Sequence, residues 1–220
     1  MLILVVAEGP VRARAVDEAL RSAGYDRVQC VEPGGDLLAR VAALDPDVVL
    51  IDVDAPTAQM LERVGEVGRR KPRPVVLFTR DGDDRTIREA VRAGVSAYVV
   101  DGLTAARVRP IIDVAVARFS AMQALKDELD RTRATLERRK LIDRAKGVIM
   151  AQRGCGEPAA YHLLRRLAMN QQTTMGEIAR RLITADEVFG AKGGAQVSVS
   201  GSGRGDQIID KLATPGDAVA

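Results

Sequence analysis

The sequence predicts an α/β protein: a doubly wound, five-stranded parallel sheet, then a long helix, then a small three-helix module. Three observations carry that expectation. Short apolar runs alternate with helical patterns through the first half of the chain. From Pro110 to Arg139 there is no glycine and no further proline. Beyond Arg139 the chain becomes basic and its apolar residues recur at helical spacing.

Leu2–Val6 is a continuous apolar run of the kind that forms a strand buried on both faces. Val48–Ile51, Val75–Phe78 and Ala97–Val100 repeat it, and Val28–Val31 is a weaker fifth. Helical patterns fill the intervals at Val11–Ala23, Asp36–Leu44, Ala58–Val67 and Thr86–Ala93. Asp45-Pro46-Asp47 and Lys71-Pro72-Arg73-Pro74 punctuate the returns to the sheet. Such alternation requires right-handed crossovers and places the functional crevice at the carboxyl ends of the strands.

Composition narrows the class. Apolar residues make up 46% of the chain, but aromatics only 3% with no Trp, so the core must be built from Val, Leu, Ile and Ala. The net charge of +3 is unevenly spread, with 10 basic against 3 acidic residues over 131–166. That local excess suggests a polyanion-binding face, and the competing reading is a solvated helix face. Cys30 and Cys155 lie far apart and match no metal spacing, as expected of reduced thiols. No signal-peptide pattern and no apolar run long enough to span a bilayer are present, so a cytoplasmic location is expected and no membrane association. His162 is the only histidine, and a structural role is expected for it. Its solitude excludes a Ser-His-Asp triad or a His-based metal site within one chain. With no nucleophile–base pair visible, an enzyme is not expected. Cys30 is expected in the core, and Met150 and Met169 are expected to pack and not to bind a cofactor.

The residues just past the strand ends are Ala7-Glu8-Gly9, Asp52-Val53-Asp54-Ala55-Pro56, Thr79-Arg80 and Asp101-Gly102. This order resembles the receiver domain of two-component response regulators, a flavodoxin-like fold, over residues 1–118. The resemblance puts Asp52 at the phosphoacceptor position, Thr79 at the switch hydroxyl and Tyr98 at the switch aromatic. Two departures follow. The usual acidic pair after the first strand is Ala7-Glu8, and the usual lysine after the aromatic is Asp101. Receiver chemistry needs Mg²⁺ on hard oxygen ligands and a cation to balance the acyl phosphate. Glu8 and Asp52 could hold Mg²⁺ only weakly, and Asp101 adds negative charge where positive charge is needed. The pocket is therefore expected to be degenerate.

From 110 to 139 a helix of about 45 Å is expected, with Pro110 in its first turn. Ile112, Ala115, Phe119 and Met122, then Leu125, Leu129, Thr132 and Leu136, recur at spacings of three and four. The stripe outlasts what the sheet domain could cover, which favours a coiled-coil homodimer over a helix packed on its own domain.

The run Arg138–Arg153 has a basic side, with Arg139, Lys146 and Arg153 seven residues apart. Leu141, Ile142, Ala145, Val148 and Ile149 form its apolar side. Gly147 costs about 1 kcal/mol relative to Ala in a helix interior, which makes sense if a ligand approaches the backbone there. Gly154-Cys155-Gly156 stops the helix, Pro158 opens the next, and Thr174 with Glu177 forms a capping-box pattern before the last. The runs Arg144–Gly147 (RAKG) and Leu163–Asn170 (LLRRLAMN) are similar to the ANTAR module, an RNA-binding transcription antiterminator, over residues 136–187. Ala97–Leu103 further resembles the NasT-like subgroup that regulates nitrate and nitrite assimilation. The resemblance implies binding of paired leader-RNA hairpins. It also implies gating by a nitrate-sensing partner that resembles a periplasmic binding protein. Arg139, Arg144, Ala145, Lys146, Gly147, Arg165 and Arg166 are the expected RNA-contacting residues. The alternatives are a phosphorylation-controlled regulator with a DNA-binding output, or one with a protein-binding output. Residues 188–220, rich in Gly, Ala and Ser, are expected to form a flexible tail.

Overall fold

The computed structural model describes residues 1–101 and 103–190, so the tail expected over 188–220 lies outside the described residues from 191 onward. The chain divides into two compact units, Met1–Lys126 and Asp127–Ala220.

The first unit begins with β1 (Leu2–Ala7), α1 (Gly9–Ser22), β2 (Arg27–Val31), α2 (Leu37–Leu44) and β3 (Val48–Asp52). It continues with α3 (Ala58–Arg70), β4 (Val75–Thr79), α4 (Asp84–Arg92), β5 (Ala97–Val100) and the start of α5 (Ala105–Arg153). All strands are parallel, in the order β2-β1-β3-β4-β5. The alternation of side chains along each strand builds two cores. Leu4, Val6, Val49, Ile51, Val75 and Leu77 face α2, α3 and α4 through Val41, Val64, Val67 and Ala90. Ile3, Val5, Leu50, Val76 and Phe78 face α1 and α5 through Val16, Leu20, Val108, Ile112 and Ala115. Helix starts are set by side-chain caps: Asp36 accepts from the Ala39 amide, Thr57 from Met60, and Asp83 from Arg85 and Thr86. Asp45 closes α2 in the left-handed region, with φ of 46°.

Three expectations are corrected here. Cys30 is exposed, because β2 is an edge strand at the rim of the sheet. Met150 and Met169 are exposed as well. Pro110 lies inside α5, not in its first turn: the helix starts five residues earlier, where the Thr104 carbonyl accepts from the Arg107 and Val108 amides. With no N–H at 110, one hydrogen bond of the second turn is forgone.

α5 is one continuous helix of 49 residues that passes from the first unit into the second. Every residue from 124 to 140 is exposed, including Leu125, Leu129 and Leu136. In the second unit the end of α5 joins α6 (Glu157–Asn170) and α7 (Met175–Gly190). Their core is Ala145, Ile149, Ala160, Leu164, Leu167, Ile178, Ala179 and Leu182. Gly156 caps α6 with Pro158 in the first turn, and the Thr174 hydroxyl accepts from the Glu177 amide at the start of α7. The Glu177 carboxylate pairs with Arg180 and Arg181, so the capping box is made on one side only. Among the described residues no helix is long and apolar enough to cross a membrane.

A candidate receiver pocket and a candidate nucleic-acid interface

Parallel register aligns the strand ends of the first unit: Ala7 pairs with Asp52, Asp52 with Phe78, and Thr79 with Val100. A polar cleft of about 280 Å³ opens there, lined by Arg12, Asp52, Phe78, Thr79, Arg80, Asp101 and Leu103. The structure thus brings Asp52, Thr79 and Asp101 together. Ala7 is buried, and Glu8 lines a neighbouring cavity of about 190 Å³ with Gly34, Arg40 and Arg63 while its charge still acts on Asp52 and Arg12. The Thr79 hydroxyl donates to the Asp54 carbonyl (2.7 Å) and accepts from the Asp81 amide (3.1 Å). Tyr98 is half-buried, and its hydroxyl donates to the Asp81 carbonyl (2.8 Å). Asp101 adopts a left-handed conformation, with φ of 47°.

Arg12 is the residue that the strand-end pattern does not reveal. From the start of α1 its guanidinium reaches Asp54 Oδ1 at 2.5 Å and Asp52 Oδ1 at 3.6 Å. Burial pushes the Asp52 carboxyl above its ordinary value, and the Arg12 charge opposes that shift. The hydrogen bond from Arg12 holds the Asp54 carboxyl below its ordinary value. A signal for Arg12 exists in the sequence, since the first turn of α1 must emerge at the carboxyl end of β1. Its partner Asp54 is among the residues just past the end of β3, but nothing in the sequence pairs the two.

The Mg²⁺ that the fold implies does not fit these residues. Magnesium needs several free oxygen ligands, and its charge here would meet a guanidinium already beside Asp52. Among the described residues no three His, Cys, Asp or Glu side chains are grouped to hold a metal.

The second unit carries the basic residues. Lys146 is only 14% exposed, and its ammonium lies 2.7 Å from Asp143 and 2.7 Å from Glu157. Those bonds raise the Lys146 pKa and lower that of Asp143. Arg144 pairs with Glu187 (2.7 Å) and Arg139 with Asp143 (4.0 Å). Ala145 is buried in the module core, so it offers nothing to a ligand. Gly147 is exposed, and a Cβ added there would meet nothing within 4 Å.

On α6 the balance differs. Arg165 and Arg166 are exposed, and neither has an acidic partner among the described residues. Tyr161 (41% exposed), Arg165 and Met169 (68% exposed) recur at four-residue spacing along one face. His162, also exposed, meets the Tyr161 ring edge-on at 6.2 Å between centroids. Sequence periodicity gives no hint of this aromatic and methionine exposure on α6, because it assigns large apolar residues to cores.

Comparison with known proteins matches both units. The response regulator receiver domain family matches residues 3–113, and the ANTAR domain family matches residues 130–183. The transcriptional regulatory protein PdtaR of Mycobacterium tuberculosis is 30% identical over 177 residues, covering 80% of this chain and 86% of that protein. The nitrate regulatory protein of Klebsiella oxytoca is 43% identical over 68 residues, 31% of this chain and 17% of that protein. A signal receiver domain of a modulated diguanylate cyclase from Desulfovibrio desulfuricans aligns with a TM-score of 0.47 at 24% identity, covering 54% of this chain and 96% of that one.

Proposed function

This chain belongs to the response regulators that join a receiver domain to an ANTAR domain, and on that premise we propose that it is an RNA-binding transcription antitermination regulator. It binds paired stem-loops in a leader transcript. The observation that carries this reading is the exposed surface of α6, where Arg165 lies one turn beyond an exposed Tyr161 and Arg166 beside it, both arginines without acidic partners among the described residues. Phosphates satisfy the guanidinium charges, and unpaired loop bases stack on the ring and the guanidinium planes. Gly147 leaves room for close backbone approach. Arg139, Arg144 and Lys146 join this surface as their carboxylate partners yield to phosphate.

The exposed leucine stripe of α5 supports a coiled-coil homodimer. A dimer presents two modules to paired hairpins, so the second hairpin binds at a high effective concentration. The family resemblance, together with the name of the Klebsiella relative, supports control of nitrate and nitrite assimilation genes in the cytoplasm. Gating by a nitrate-sensing partner protein suits a pocket in which the Arg12 guanidinium stands beside Asp52 and Asp101 lines the same cleft.

The test measures binding to a two-hairpin leader RNA and to duplex DNA of matched length and charge, across a salt series. RNA is expected to bind more tightly than DNA. Each of Arg165→Ala and Arg166→Ala is expected to lower the salt slope by about 0.7–0.9 for every phosphate left without its arginine. Equal or tighter DNA binding would favour the phosphorylation-controlled DNA-binding reading. Binding to neither nucleic acid would favour an acidic protein partner.

A further inference from the structure

We propose that Arg12 is the receiver's built-in counter-ion: a tethered guanidinium stands beside Asp52 in place of a divalent cation and holds the strand-end loops together without metal.

The geometry is specific. Arg12 is only 22% exposed on its side chain, and its two terminal nitrogens address two carboxylates that lie two residues apart. The Asp54 side chain also faces Arg80 Nε at 3.6 Å. The Asp54 carbonyl is occupied as well, accepting from the Thr79 hydroxyl and from the Arg80 amide (3.1 Å). Asp54 is thus a hub joining the start of α1, the segment after β3 and the segment after β4. Through Thr79 and Asp81 the connection extends to Tyr98 on β5.

A divalent cation entering that arrangement would have to share Asp52 with the Arg12 guanidinium. Mg²⁺ demands near-octahedral oxygen ligands at about 2.0–2.1 Å and gives up water reluctantly. Here Asp54 Oδ1 and the Asp54 carbonyl already accept from protein donors, and the Arg12 charge would repel an incoming cation across a few ångströms. The Arg12 guanidinium has its own proton affinity raised, chiefly by the bond to Asp54, as expected of a committed ion pair. Ala7 and Asp101, which depart from the acid and the lysine of the receiver pattern, fit the same arrangement. With the resident cation on α1, neither a second acid for metal nor a cation after β5 is required.

The experiment uses the full chain and compares wild type, Arg12→Ala and Arg12→Gln. Thermal unfolding is followed in EDTA and in millimolar MgCl₂, and Mn²⁺ binding is measured by water-proton relaxation. Wild type is expected to melt at the same temperature with and without Mg²⁺ and to show no saturable Mn²⁺ binding. The variants are expected to melt lower in EDTA and to recover in MgCl₂. They should also show saturable Mn²⁺ binding where wild type shows none, as removal of a nearby like charge implies. A Mg²⁺-dependent rise in wild type equal to that in the variants would overturn the proposal. So would folded variants as indifferent to metal as wild type. If both variants fail to fold, the wild-type Mn²⁺ titration decides alone: saturable binding that Mg²⁺ displaces overturns the assignment, and its absence upholds it.

Discussion

Gly147→Ala separates what a residue does for the fold from what it does for a ligand. Gly147 lies in the interior of α5, exposed, and a methyl group there would meet nothing within 4 Å. The substitution therefore carries no steric cost, and the helix gains the full difference in propensity, about 1 kcal/mol. For a module of this size that corresponds to a rise in melting temperature of roughly 4–8 °C. Gly176 provides the contrast. It is buried, and its added Cβ would lie 3.3 Å from Cγ of Arg138, so the arginine stem must shift and much of the propensity gain is lost. The assay is far-UV circular dichroism on heating, paired with filter binding to the two-hairpin RNA. Gly147→Ala is expected to be more stable yet to bind RNA at least roughly tenfold more weakly, a loss of about 1.4 kcal/mol. Gly176→Ala should leave RNA affinity unchanged. A Gly147→Ala protein that is more stable and binds RNA as well as wild type would refute close RNA approach at this position. A less stable one would refute the account of the open space.

Two other perturbations address the surfaces around it. Replacing Leu129 and Leu136 by Asn removes two apolar positions from the exposed stripe of α5, each worth about 1.5–3 kcal/mol when buried. Sedimentation equilibrium is expected to show association weakened by roughly a hundredfold or more, and an unchanged molecular weight distribution would remove the coiled-coil dimer. The Lys146 cluster predicts a pH dependence of known sign. Asp143 is depressed by the bond from Lys146, so its contribution is present above the ordinary carboxylate value of about 3.9 and is lost as pH falls through the lowered one. Lys146 is raised, so its contribution is complete below about 10.4 and is lost as pH rises through the higher value. Asp143→Asn should flatten the acid limb of a stability–pH profile, and an unaltered limb would show that the pair does not couple to folding.

Much of the architecture is legible in residue order. Apolar runs separated by helical patterns give the strand–helix alternation, and alternation forces parallel strands whose carboxyl ends meet. That is why residue order alone makes neighbours of Asp52, Thr79 and Asp101. Caps are local as well, so Asp36, Thr57 and Asp83 fall where short-range chemistry puts them. Pro110 shows the limit of local rules. Its residue type marks a helix start, while the docking of Val108 and Ile112 against the sheet extends the helix through it.

The side-chain partnerships could not be read this way. Lys146 and Gly147 are adjacent in the chain and look equally available. In the folded module Asp143 and Glu157 converge on Lys146 from two helices, while Gly147 faces open space. Ala145, one residue earlier, is turned into the core. Arg12 and Asp54 are separated by 42 positions, yet they form the closest ion pair of the receiver cleft. Periodicity and turn chemistry act over a few residues, so the sequence by itself determined the elements, their order and the family they resemble. Which charges neutralise one another depends on where packed helices bring long side chains together. That was decided only by the tertiary structure, and it moved the available cationic surface of the module toward α6 and put a guanidinium beside Asp52.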